Sequence, residues 1–109
     1  MTRKFLALLA VAVVCSSAAV AFDGYVEVTN DTGFNIYYLY VSPGKSKSWE
    51  EDVLDEDILR DGQTVRVTVN GAKSEIFDIR VEDEDGDTYT LWDVDISTRD
   101  VTFTLDDLD

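Results

Sequence analysis

The 109-residue chain carries 23 acidic side chains against nine basic ones, for a formal charge of −14. A field of that sign repels phosphate backbones and anionic lipid surfaces, which argues against nucleic acid as a partner. With no histidine and one cysteine, the commonest general base and two usual metal-ligand types are missing or nearly so, and most routes to catalysis go with them.

The first 21 residues read as a leader. Arg3 and Lys4 precede an unbroken apolar run from Phe5 to Val14, and Ala19 and Ala21 end the segment as an A-x-A site. Charged start, short apolar core and small-residue end are the parts of a secretory signal peptide, with cleavage expected after Ala21. The run is too short to span a hydrocarbon layer of ~30 Å. Cys15 follows Val14 rather than the small residue that lipid attachment favours. The expected mature form, residues 22–109, is one β-rich domain in the periplasm or outside the cell, with no membrane span. It has seven basic residues against 23 acids, a formal charge of −16, and no cysteine for a disulfide.

Segments between turn signals favour strand formers. Tyr25–Thr29 alternates, Asn30-Asp31-Thr32-Gly33 is a turn, and Phe34–Val41 is a longer strand ending at Ser42-Pro43-Gly44, so the two are expected to pair as a hairpin. Trp49, Val53, Leu54 and Ile58 then share one face at helical spacing. Ser48 and Glu51 fit a capping box and Gly62 fits a stop, which predicts a short helix over 48–59 packed by Trp49, the alternative being an irregular loop pinned by the same Trp49. Val65, Val67 and Val69 alternate up to Asn70-Gly71, a tight-hairpin signal leading to Phe77, Ile79 and Val81. Asp85-Gly86 marks another hairpin. In the next strand Tyr89 and Leu91 fall on one face but Trp92, Val94 and Ile96 on the other, a switch that predicts a bulge or a doubly covered strand. Val101, Phe103 and Leu105 are expected to point inward, and Asp106, Asp107 and Asp109 to form an exposed acidic end. Six short strands with regular turns predict an all-β fold: a small antiparallel sandwich or open barrel with one short helix.

Few constellations carry chemistry. Asp83, Asp85 and Asp87 stand on a tight turn and are the candidate ligands for a weakly held calcium ion, although the glycine and glutamate spacing of an EF-hand is absent. Ser42-Pro43-Gly44-Lys45 matches S-x-x-K without the companion motifs of the penicillin-recognising enzymes. Asn30-Asp31-Thr32 is formally a glycosylation sequon and reads as a turn. Among tyrosines 37, 38 and 40, alternation separates Tyr37 from the other two. Tyr37 with Glu50, Glu51 and Asp52 is the candidate partner-binding set, suited to a cationic protein.

The pattern Asn30-x-Thr32-Gly33-x-x-Ile36-x-x-Leu39-Tyr40-x-Ser42-Pro43, with Trp49-x-x-Asp52-x-Leu54, Leu59-x-x-Gly62 and Phe77-Asp78-Ile79-Arg80, resembles a family of small exported bacterial proteins of unknown function. Some of its members bear the name argininosuccinate lyase, an enzyme that is a large helical protein and does not fit this chain. The resemblance implies export and one β-rich domain. It also implies a disulfide in many relatives near positions 75 and 97, where this chain has Glu75 and Ser97. The functional expectation is a non-enzymatic binding or structural module without a cofactor; the alternatives are an acidic inhibitor or carrier of a cationic protein, and a weak calcium-binding module.

Overall fold

The computed structural model describes residues 21–44 and 49–109; the expected leader, but for Ala21, and Ser48 of the capping box lie outside them. Alternation of apolar and polar residues yields six strands: β1 (Phe22–Asp31), β2 (Ile36–Pro43), β3 (Thr64–Ala72), β4 (Ile76–Asp83), β5 (Thr88–Asp95) and β6 (Val101–Thr104). They form two three-stranded sheets, ordered β3-β1-β6 and β2-β4-β5, in a sandwich-like arrangement. One sheet contributes Val26, Val28, Val67, Val101 and Phe103 to the core, and the other Leu39, Ile79, Val81, Tyr89 and Val94. All pairings are antiparallel except β1 with β6, which is parallel.

Two expected hairpins are instead crossings between the sheets. β1 pairs with β3 and β6 while β2 pairs with β4, so Asn30–Phe34 is an arch and not a hairpin turn. Asn30, fully buried, holds it: Nδ2 donates to the carbonyls of Phe34 (2.7 Å) and Leu59 (3.0 Å), and Oδ1 accepts from the Thr32 amide (3.0 Å) and hydroxyl (2.8 Å). Both amide protons of the sequon asparagine are thus engaged, and a glycan on Nδ2 is incompatible with this fold. The Asn70-Gly71 signal is likewise no hairpin. The register of β1 with β3 runs Phe22↔Ala72 and then Gly24↔Val69, so Asn70-Gly71 lies in a bulge within the ladder. Gly71 takes a positive φ of 67° there, and its amide donates to Asp23. The Asp85-Gly86 hairpin between β4 and β5 forms as expected.

The helix over 48–59 does not form: the described part of this segment is irregular. Of the residues at helical spacing, Leu54 is buried, whereas Val53 and Ile58 are exposed; Leu59 is buried instead. The segment is captured along the edge of β2, where backbone groups need partners. Asp52 Oδ1 accepts from the amides of Leu39 (2.9 Å) and Leu54 (3.0 Å), the Val53 amide donates to the Leu39 carbonyl (2.8 Å), and Leu59 bridges Ile36. The only described helical turn is a 3₁₀ turn at Leu105–Asp107, capped reciprocally by Thr104 and Asp107. It rotates Leu105 outward, against expectation. The acidic end is docked as well: Leu108 bridges Tyr89, and the Asp109 amide donates to the Thr88 carbonyl.

Candidate functional site

Two bulges shape the outer face of the β2-β4-β5 sheet. In β2 the register passes from Ile36↔Asp83 to Tyr38↔Glu82, so Tyr37 is the extra residue. Ile36 and Leu39 both stay in the core while Tyr37 and Tyr38 are both exposed, where strict alternation would separate them. In β5 the register passes from Ile79↔Leu91 to Phe77↔Val94, which places the expected bulge at Trp92-Asp93. Asp93 adopts a positive φ of 53°, and its amide donates to the buried Asp78 carboxylate at 2.8 Å. Tyr89, Val94 and Ile96 thereby all reach the core, and Trp92 is left 62% exposed.

These devices assemble a continuous aromatic strip from distant parts of the chain. Tyr38 and Tyr40 stack with ring centroids 6.4 Å apart; Tyr40 meets Trp49 at 6.3 Å, and Trp49 meets Trp92 at 5.8 Å. Trp49 is therefore not a core residue under a helix. It lies half-buried on the outer face, its ring over the Arg80 guanidinium at 4.6 Å. Arg80 is held from beside by its Nε–H bond to Thr90 (2.9 Å), and Asp109 approaches it at 4.0 Å. Asp109 itself accepts from the hydroxyls of Thr88 and Thr90. Burial, and then the negative charges of Asp52 and Glu82, push the Tyr40 hydroxyl pKa upward, so carboxylates border the strip.

Of the expected partner-binding set, Glu50 and Glu51 are exposed beside Trp49. Asp52 is used structurally by the Leu39 and Leu54 amides. Tyr37 does not join the strip. With Tyr38 it lines a shallow hollow of about 230 Å³ bounded by Asp55, Glu56, Asp57 and Ile58. Sequence reasoning missed Tyr38, Tyr40, Trp49, Arg80 and Trp92 as one surface; the facing switch in β5 was the available signal.

The expected calcium ligands are not gathered. Asp83 is buried: Oδ1 accepts from the amides of Asp85 (2.9 Å) and Asp87 (3.0 Å), and Oδ2 accepts from the Tyr89 hydroxyl (2.9 Å). Asp85 and Asp87 are exposed at the hairpin tip, and among the described residues no group of three or more metal-ligating side chains is assembled. Asp83 thus organises the turn. Burial and then the bond to Asp83 raise the Tyr89 pKa to about 12. Another concavity, about 380 Å³, is open and lies between the start of β1 and residues 96–100. Its Asp23 and Asp100 carboxylates are occupied by the Gly71 and Glu27 amides.

No described helix is long and apolar enough to cross a membrane. Comparison of the chain with protein-family models, curated proteins and solved structures finds no match in any of the three.

Proposed function

We propose that the protein is an exported, non-enzymatic binding module that engages its partner through the outer face of β2-β4-β5. The observation that carries this reading is the strip of four aromatic rings ending in Trp92, 62% exposed, on a sheet whose bulges keep the core filled while turning large rings outward. Contiguous exposed apolar surface of this kind marks contact sites, and aromatic residues dominate binding energetics at such sites. Export rests on the leader sequence. β1 starts at Phe22, so loss of residues 1–21 would leave every described element intact. The family resemblance supports the same compartment.

A photo-cross-linking side chain placed at Trp92, with Thr68 on the opposite sheet as the control position, tests the docking face in the producing cells. A discrete adduct from position 92 and none from 68 is expected; adducts from both positions, or from neither, would remove the reading. Intact mass of the exported form should correspond to a chain beginning at Phe22. A retained leader or an acylated Cys15 would reassign the compartment.

A further inference from the structure

Resting on that binding reading, we propose that the partner is a cationic polypeptide segment, rich in arginine or lysine, lying across the rings of Tyr38, Tyr40, Trp49 and Trp92. Charge complementarity selects this occupant. β2, β4 and β5 carry one basic residue, Arg80, against Asp78, Glu82, Asp83, Asp93 and Asp95. Arg80 is not free to greet an anion: the Trp49 ring lies 4.6 Å above its guanidinium, and Thr90 takes its Nε–H. Glu50, Glu51 and Glu82 rim the rings, so an approaching cation meets an attractive field and an acidic or phosphorylated chain a repulsive one.

The rings suit such a ligand. Among the described residues guanidinium groups already stack on aromatic faces twice, Arg80 on Trp49 and Arg66 on Tyr25, the latter at 4.0 Å. Trp92, 62% exposed, and Tyr38, 42% exposed, leave ring surface for a partner's arginine to repeat the contact. A second copy fits poorly, since each chain brings a formal charge of −14. Strand addition at the β2 edge is hindered because both the amide and the carbonyl of Leu39 are bonded within the chain. The segment therefore docks by its side chains, over the face.

The chain has two tryptophans, Trp49 and Trp92, and both lie on this face, so intrinsic fluorescence reports on it directly. The purified protein is titrated at ~0.15 M salt with an arginine–serine repeat peptide, its glutamate–serine counterpart and chitohexaose. A saturable change with the arginine peptide alone is expected. Trp92→Ala and Tyr38→Ala should each weaken it about tenfold, and both exposed sites tolerate truncation, which circular dichroism checks. Paired neutralisation Glu50→Gln/Glu51→Gln should weaken it at least about fivefold, and Glu27→Gln/Asp31→Asn on the opposite sheet less than about twofold. Equal losses from the two neutralised pairs would overturn the proposal in favour of diffuse charge attraction. Saturation by chitohexaose but not by the peptide would overturn the partner class and leave the binding face standing. No saturable response to any probe, together with no adduct at position 92, would remove both.

Discussion

Replacing Asn30 by aspartate should unfold the protein more readily than replacing it by alanine, although aspartate is the closer match in shape. In the alanine variant the Thr32 amide loses its acceptor inside the core, whereas two carbonyls keep other donors: Phe34 the Thr32 hydroxyl at 3.2 Å, and Leu59 the Ile36 amide at 2.9 Å. One orphaned donor plus the lost bonds costs about 2–3 kcal/mol. In the aspartate variant Oδ1 keeps both donors from Thr32, but an ionised Oδ2 faces the Phe34 and Leu59 carbonyl oxygens with no proton between them. A buried charge so placed costs roughly 3–5 kcal/mol at neutral pH. The folded state then favours the protonated acid, so the aspartate pKa is raised on folding. Its penalty is therefore smallest below the unfolded value and grows as pH rises through the folded one. Urea unfolding followed by tryptophan fluorescence from about pH 4 to pH 8 measures both variants. An aspartate variant more stable than the alanine one at pH 7, or a penalty that acid does not relieve, would refute the arrangement of the Asn30 amide.

Tyr89, whose pKa of about 12 exceeds its ordinary 10.0, holds its proton more tightly when folded. The corresponding stability is complete below pH 10 and lost as pH rises through 12, roughly 2–3 kcal/mol in all; Tyr89→Phe should flatten this alkaline decline in urea titrations, and an unchanged slope would contradict it. Trp49→Ala should cost about 1–2 kcal/mol through lost stacking on Arg80 and Tyr40, whereas Trp92→Ala, at 62% exposure, should cost less than about 1 kcal/mol. Chemical denaturation compares the pair, and equal losses would mean that Trp92 is structural. Because the Asp83 carboxylate is filled by the turn amides and Tyr89, millimolar calcium should not raise the melting temperature beyond sodium chloride at matched ionic strength. A calcium-specific rise that Asp85→Asn abolishes would restore the metal site.

The strands were legible because period-two alternation is a direct consequence of a half-buried pleat, and the facing switch in β5 located its bulge. The partnering of strands was not. Asn-Asp-Thr-Gly and Asn-Gly supply the same permissive backbone to a hairpin, an arch or a bulge. What decides between them is remote: the Leu59 carbonyl for Asn30 and the Asp23 carboxylate for Gly71. Residues 49–59 show the converse error. Their apolar spacing fits a helix by coincidence, while Asp52 turns the chain and the unpaired edge of β2 draws it into extended contact. The aromatic strip was hidden because its members lie far apart in the chain, and its alignment depends on two bulges and on the capture of the segment that begins at Trp49.

Stability and recognition divide unevenly along that strip, and the division bears on function. Trp49 covers Arg80 and Tyr40 and so shields a cation placed beside an acidic neighbourhood; its contacts account for its position. Trp92 has no comparable duty, since Val94 and Ile96 fill the core without it and the Asp78–Asp93 bond fixes the bulge. The edges of this sheet are also engaged by the chain itself, β2 by the 52–59 segment and β5 by Leu108 and Asp109. β3 in the opposite sheet lacks such a cover among the described elements, and it carries Arg66 at its centre, a charge of the kind that discourages strand addition. A partner that added a strand would need an edge of that opposite sheet, β3 or β6, and would leave both tryptophans unchanged. One that used the face would alter them at once. An affinity, read from the remaining Trp49 signal, that falls on Trp92→Ala without loss of stability separates the two modes and assigns the exposed ring to binding.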